Sequence, residues 1–518
     1  MRKTGMKSEN DTTINHWNTP VYNAIKAYAD SGTIPFHMPG HKLGRGVPDE
    51  YLSEIEKLDL TEIPGTDNLH APTGVLKEAQ ELAAAAFGAK ESFFLVNGST
   101  IGLHVAISAV CKHGQRLIVG RDCHKAAING MLLAGAVPVY IIPEYSAEFG
   151  IHTGMTPLAV KKALLDAPDA AGVLITRPNY YGVCSDISEI ARIVHLHKKI
   201  LIVDEAHGSH LVFSRRLPVC ALEAGADLCI QSAHKTLPAF TQGALLHIGS
   251  DRVDRERICY YLDLYQTTSP SYVIMAYLDI AREIMQKSGK AMLDGLLDTI
   301  EAFAGEFYSR EVCHGEVNRG EACRGEVLRD DIRLLSRLDI PGFEHDDTRI
   351  TVDVSGLGMT GYAAEKLLRD RYHIQVEMSD LKNIVCIATV ADDRESIACL
   401  FSALTGLSEL ARAEEGKPDV FTGVNAISLP DFRRLTLPKR VMMPQKILDA
   451  QVDMIPLEEA EGRTSGGIVS PYPPGIALVC PGERFSREMI EYIKYIIRAG
   501  GVVHGIREDG TAAILRGI

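Results

Sequence analysis

No run of about 18 consecutive apolar residues occurs in this 518-residue sequence, so no segment reads as a membrane-spanning helix. Met1 to Asn15 is polar and lacks the apolar core of a secretory signal. A basic excess is missing too. Lys and Arg number 54 against 67 Asp and Glu, a net charge of −13, which argues against nucleic acid as a partner and agrees with a cationic substrate. The 11 cysteines are odd in number and scattered, and no C-x-x-C pair occurs. That argues against a zinc ribbon or a disulfide framework and fits buried, reduced thiols in a cytoplasmic protein. No metal site is expected.

What the chain does have is apolar residues, 46% of the total, gathered into short runs. Seven runs, at 92–96, 116–119, 137–142, 172–176, 200–203, 228–231 and 244–247, alternate with helical stretches. Continuous apolar runs separated by helices predict an α/β fold with a mostly parallel, buried sheet. The last two lie close together, which suits an antiparallel strand near the end. Runs at 350–354 and 384–389 around a helix at 361–371 predict a smaller α/β unit. Helical spacing predicts further helices at 19–31, with Val21, Ile25 and Tyr28 on one face, at 75–88, and near 486–498. The Pro/Gly/His-rich stretch 35–46 reads as a surface loop. Gly-Glu recurs every five residues at Gly315, Gly320 and Gly325, a period that fits neither helix nor strand and reads as a loop insertion.

Three strand-end motifs carry chemistry. Gln231-Ser232-Ala233-His234-Lys235-Thr236-Leu237-Pro238 follows one apolar run and precedes another. A lysine among small and hydroxyl residues suits Schiff-base attachment of an aldehyde cofactor, although a lone lysine is most often a solvated surface residue. Leu201-Ile202-Val203-Asp204 ends a buried run on a carboxylate, at the sheet edge where open α/β folds bind ligands. Such a carboxylate keeps a cofactor ring nitrogen protonated, or caps the next helix. Val96-Asn97-Gly98-Ser99-Thr100-Ile101-Gly102 opens a helix and forms a phosphate cradle, or an ordinary strand-to-helix turn.

In this order and spacing the three motifs resemble the pyridoxal-phosphate-dependent Orn/Lys/Arg decarboxylases. Phe36-His37-Met38-Pro39-Gly40-His41-Lys42 is similar to that family's N-terminal motif, and Tyr472-Pro473-Pro474-Gly475 with Pro481-Gly482-Glu483 to its C-terminal one. The resemblance is nearly end to end, to the short bacterial, arginine-decarboxylase-like form. It implies a PLP-dependent transferase large domain of fold type I, with a seven-stranded, mostly parallel sheet, plus smaller α/β C-terminal domains. The domains expected are 1–74, an N-terminal arm and interface segment; 75–300, the cofactor-binding large domain; 301–415, a small α/β domain; and 416–518, the C-terminal decarboxylase domain.

The resemblance also implies roles. Lys235 attaches pyridoxal 5′-phosphate and Asp204 faces its ring nitrogen. His124, an ordinary loop histidine on composition alone, becomes the ring-stacking group. His207 approaches the cofactor 3′-oxygen or serves its own turn. Gly98, Ser99, Thr100, Ser232 and His234 hold the phosphate, and Lys235 or His234 assists proton return. The implied reaction is decarboxylation of a basic L-amino acid, arginine favoured over lysine or ornithine, to carbon dioxide and a polyamine-pathway amine. A carboxylate for the distal substrate cation is required, and the sequence does not single one out. A homodimer or higher homo-oligomer is implied, with 35–46 and Gln266-Thr267-Thr268-Ser269-Pro270-Ser271-Tyr272 directed at the neighbouring subunit's site. The alternatives are an aminotransferase or other lyase of the same fold, or a non-catalytic homologue that binds the cofactor.

Overall fold

The structure, a computed structural model, describes residues 19–53, 55–309, 331–413, 437–472 and 475–517. The Gly-Glu repeat, the first 18 residues, and Pro473 and Pro474 of the C-terminal motif lie outside the described residues. Among those described, no helix is long and apolar enough to cross a membrane. The nine described cysteines are free thiols.

The apolar runs become one seven-stranded sheet. Its strands are β1 (Glu91–Leu95), β2 (Arg116–Gly120), β3 (Val137–Ile141), β4 (Gly172–Thr176), β5 (Ile200–Asp204), β6 (Leu228–Gln231) and β7 (Ala244–Ile248). They lie in the order β1-β7-β6-β5-β4-β2-β3. Only β7 runs antiparallel to its neighbours, β6 and β1. Side chains alternate across the sheet with period two. Val173, Ile175, Val203 and Leu245 pack into one core, and Leu174, Ile202 and Leu246 into the other. Both faces are covered, so no strand shows a polar side, and every residue of β4 and β7 is buried.

Helix α1 (Pro20–Ala29) buries none of its residues. Its apolar positions face out, with Val21 72% and Ile25 64% exposed. Helices α2 (Val75–Phe87), α3 (Gly98–Val110) and α4 (Lys125–Ala134) feed side chains to the two cores around the sheet. The 38-residue α5 (Tyr272–Ser309) then leads away from the large sheet. Its first half contributes Met275, Leu278 and Met285 to the large-domain core, and its second half Leu296, Ile300 and Phe307 to the next core. The small domain is built on β8 (Arg349–Asp353) and β9 (Asn383–Ile387), antiparallel, flanked by Arg333–Leu334 and Met378–Ser379 and covered by α6 (Gly361–Tyr372) and α7 (Arg394–Ala413). At the C-terminal end, α8 (Arg487–Arg498) buries Met489, Ile490, Ile493 and Ile496.

The stretch 35–46, expected as a surface loop, is partly core. Ile34–Phe36 pairs in parallel with Ile374–Val376, and Phe36 is buried in the small-domain core. Lys42 is fully buried. Its ammonium donates to the carbonyls of Pro35 (2.9 Å), His37 (3.1 Å) and Ile387 (2.7 Å) and lies 3.7 Å from Asp392. Residues 37–46 are turns and bends, as a loop should be, but a composition poor in helix formers says nothing about a lysine that binds three carbonyls, which is why its surface placement failed here.

Candidate active site

Strands β4, β5 and β6 run in parallel and deliver their carboxyl ends to one edge of the sheet. Asp204 closes β5, paired with Ile230 of β6, and Lys235 follows five residues after Ile230 on a single helical turn, Ala233–Thr236. Lys235 Nζ lies 3.0 Å from His207 Nε2. Burial lowers the lysine pKa, while Asp204 and Glu377 act to raise it. Asp204 is 2% exposed, and burial pushes its carboxyl up to about 6 although Lys235 works to lower it. A partly buried primary amine and a buried carboxylate with shifted pKa values mark a functional cluster.

Three imidazoles surround this pair. His124 caps α4, its Nδ1 accepting from the Ala126 amide at 3.2 Å. Burial and the Lys235 charge bring its pKa down to about 4. His207 is buried, and its pKa sits well below the usual value because of burial and the charges of Lys235 and Arg349. The Tyr180 ring meets it edge-on at 4.9 Å. His234 donates Nδ1–H to the Gly243 carbonyl at 3.0 Å, since a carbonyl only accepts, and burial brings its pKa down to about 4. Its Nε2 therefore presents a lone pair. A phosphate dianion placed there would favour the doubly protonated ring.

The third motif forms a recess. Gly98 has φ +76°, and a Cβ added to it would meet no atom within 4 Å. The Asn97 side chain does not cap α3, because its Oδ1 accepts from the Thr267 amide at 3.0 Å. The start of α3 is thus free of a side-chain cap and suited to an anion. Ser232 Oγ donates to Ser99 Oγ at 2.7 Å, so the lysine turn and the recess meet. Thr100 is exposed on the same first turn. The segment expected to reach a neighbouring subunit lies beside this recess in its own chain. Gln266 Oε1 accepts from the Val96 amide at 3.0 Å, and the Thr267 carbonyl lies 2.8 Å from His70 Nε2.

The residues present fit pyridoxal phosphate. A partly buried amine stands beside a buried carboxylate, and an uncapped helix start with converging hydroxyls lies at the same sheet edge. Comparison with known proteins agrees. Residues 19–323 match the family described as Orn/Lys/Arg decarboxylase, major domain, and residues 431–509 match its C-terminal domain. The chain belongs to the Orn/Lys/Arg decarboxylase family. It is 35% identical to the arginine decarboxylase of Bacillus subtilis (strain 168) over 504 residues, covering 96% of this chain and 97% of that one. The crystal structure of the Francisella novicida lysine decarboxylase superposes with a TM-score of 0.72 at 21% identity, over 96% of this chain and 80% of that one. Alanine–glyoxylate aminotransferase from Nostoc aligns with a TM-score of 0.52 at 13% identity, over 72% and 95%. The fold is therefore fold type I, shared by decarboxylases and aminotransferases.

Sequence reasoning missed two charged groups of this family member's site. Arg349 is fully buried, and its Nη2 lies 3.2 Å from His207 Nδ1 and 3.1 Å from the His207 carbonyl oxygen. The expected strand began one residue later, at Ile350, and so left the arginine in a loop. Glu377 acts electrostatically on Lys42, Tyr180, Lys235 and Arg349 together. Its Oε2 accepts from the Met38 amide at 2.9 Å, which ties the N-terminal motif to the site. No local pattern marks that glutamate, because its neighbours are assembled from four distant segments.

Proposed function

We propose that this chain removes the α-carboxylate of a basic L-amino acid as carbon dioxide, with pyridoxal 5′-phosphate as cofactor and arginine as the preferred substrate over lysine or ornithine. The observation that carries the reading is the Lys235 amine at 3.0 Å from His207 and electrostatically coupled to buried Asp204. The 35% identity to an arginine decarboxylase over nearly the whole chain supports arginine.

When bound, pyridoxal phosphate supplies a sink for the electron pair left on Cα as carbon dioxide departs. The chain's own residues do the rest. Lys235 would hold the cofactor's aldehyde carbon, and Lys235 as its ammonium, or His234, would return the proton to Cα. Asp204 keeps a proton on the ring nitrogen. His124 covers one ring face. The α3 start with Ser99, Thr100, Ser232 and His234 holds the phosphate. Glu377 faces the distal guanidinium or ammonium of the substrate, for which a carboxylate partner is required.

A homodimer completes the picture. Val21 and Ile25 of α1 and Leu43, Tyr51, Leu60 and Ile63 after it are large apolar residues left exposed in one chain. Apolar residues grouped along one segment in this way suit burial against a second copy. A cytoplasmic setting is consistent with the free thiols.

One observation favours transamination as a second reading. Among the described residues Arg349 has no hydrogen-bond partner at Nε or Nη1, and a buried guanidinium with open donors suits a carboxylate. Product analysis separates the two. Purified chain loaded with cofactor is given L-arginine, L-lysine and L-ornithine, each with and without a 2-oxo acid as amino acceptor, and carbon dioxide, amine and keto acid are measured. Stoichiometric carbon dioxide and amine, fastest from arginine and abolished in Lys235→Ala, is the expected result. Keto acid without carbon dioxide, or full activity in Lys235→Ala, overturns the proposal.

A further inference from the structure

The contacts around His207 admit one protonation pattern. A guanidinium carries donors and no acceptor, and it stays charged in proteins. The two hydrogens on Arg349 Nη2 point to His207 Nδ1 at 3.2 Å and to the His207 carbonyl at 3.1 Å. Nδ1 therefore presents a lone pair, and the ring proton sits on Nε2. That N–H faces Lys235 Nζ at 3.0 Å, so the lysine beside it must accept and is the neutral amine. The reverse pattern, an ammonium donating to Nε2, puts the ring proton on Nδ1 and sets it against the guanidinium. A doubly protonated ring would meet a donor at both ends.

The surroundings hold Arg349 in this position. Its stem passes Gly182, which has φ +87° and where an added Cβ would lie 2.7 Å from the Arg349 Cβ. Its backbone amide donates to the Asp346 carbonyl at 2.9 Å. Asp346 in turn lies 3.1 Å from His210 and accepts from the Thr348 hydroxyl at 2.7 Å. The imidazole is pinned as well, by the Tyr180 ring.

We propose that Arg349 is a positioning residue that acts through His207: it fixes the Nε2–H tautomer and so presents Lys235 as a neutral nucleophile. The inference rests on Lys235 being the attachment lysine. Attachment needs the Nζ lone pair to leave its hydrogen bond with His207 Nε2–H and bond to the cofactor's aldehyde carbon, while the carbonyl oxygen leaves as water with the two Nζ hydrogens. An ammonium has no lone pair to begin this.

Two measurements test the inference. In the full chain labelled with 15N-histidine, with and without cofactor, the His207 resonances are identified by their loss in His207→Gln. Protonated Nε2 with bare Nδ1 is expected, and the Nδ1–H tautomer overturns the proposal. The second is the rate at which added pyridoxal phosphate attaches, followed by its visible absorbance across neutral to alkaline pH. A rise of one unit in the lysine pKa lowers the neutral fraction about tenfold. Arg349→Met is expected to attach about tenfold or more slowly at neutral pH and to approach the unsubstituted rate as pH rises. Arg349→Lys keeps a donor facing Nδ1 while its ammonium stays protonated, and in that state stays within about threefold. Arg349→Met at the unsubstituted rate and pH profile, or a folded Arg349→Lys as slow as it, overturns the proposal. If Arg349→Met does not fold, the tautomer measurement decides. Failure of the unsubstituted chain to attach cofactor would instead overturn the role of Lys235 and leave the tautomer result standing.

Discussion

Gly40 and His234, 194 positions apart, are joined backbone to backbone: the Gly40 amide donates to the His234 carbonyl at 2.8 Å. The Gly40 carbonyl accepts from Thr389 Oγ1, also at 2.8 Å, so the N-terminal motif bridges the small domain and the lysine turn. The N-terminal motif is thus tied to the turn that carries Lys235.

Gly40→Ala tests this bridge. A Cβ at Gly40 would sit 2.7 Å from the Leu237 carbonyl oxygen and 3.0 Å from the Thr236 carbonyl carbon, both backbone atoms that cannot swing aside. The lysine turn has to shift. Overpacking of this kind costs about 1–3 kcal/mol, so cofactor retained through dialysis should fall about tenfold or more while the protein stays folded. Unchanged retention would show that the turn tolerates the shift.

Asp204→Asn separates charge from shape. The carboxyl is raised from 3.8 to about 6 by burial, so the cofactor-free folded chain binds this proton more tightly than the unfolded chain does. Stability from this group is highest below about pH 4, falls as pH rises toward 6, and is level above that. Two units correspond to about 3 kcal/mol. The asparagine variant, without cofactor, should match the parent in acid and exceed its melting temperature at neutral pH. Loaded with cofactor it should lose rate by orders of magnitude, since the ring nitrogen is no longer held protonated. Calorimetry across pH and single-substrate kinetics read the two effects.

The large sheet was legible because both its faces are buried, and its apolar runs are too short for buried helices and alternate with helical stretches. Strand β7 was legible as antiparallel because the stretch between it and β6 holds only the single turn Ala233–Thr236, too little for a crossover helix. Lys235, Asp204 and the Gly98 recess were legible because each sits at a strand end, where position follows from topology. Arg349 and Glu377 were not, since their roles arise from side chains reaching across from the small domain. Lys42 was misread for the same reason: its third carbonyl, Ile387, lies 345 positions away.

Arg121 and Glu483 offer a third test, across the boundary between the sheet and the C-terminal segment. Arg121 donates to both carboxylate oxygens of Glu483, at 3.0 and 2.8 Å, and to the Leu478 carbonyl at 3.1 Å. The pair is nearly buried, with side chains 10% and 2% exposed. Breaking a buried pair by removing one partner costs about 3–5 kcal/mol, whereas replacing both with apolar residues is often near neutral. Glu483→Ala should lower the urea midpoint sharply, and Arg121→Met with Glu483→Leu should recover most of it. His124 lies three residues beyond Arg121, so Glu483→Ala should also weaken cofactor retention. Equal midpoints for the single and double variants would count against a buried ion pair.

The last test concerns assembly. Thr268 and Ser269 are exposed at the rim of the Gly98 recess, on a segment whose base is fixed by Asn97. If that rim completes the neighbouring subunit's site, the active unit is a two-fold homodimer. Thr268→Ala with Ser269→Ala should then be impaired alone, as Lys235→Ala is. Mixed with Lys235→Ala and allowed to exchange, it should regain activity, because one of the two sites in each heterodimer receives only intact parts. Random pairing of equal amounts makes half of the dimers heterodimers, so recovery should approach about a quarter of the unsubstituted activity. Exchange is followed by native mass spectrometry of differently tagged chains. Confirmed exchange with no recovery would assign the rim to its own subunit's site, and a fully active monomer by light scattering would remove the composite site altogether.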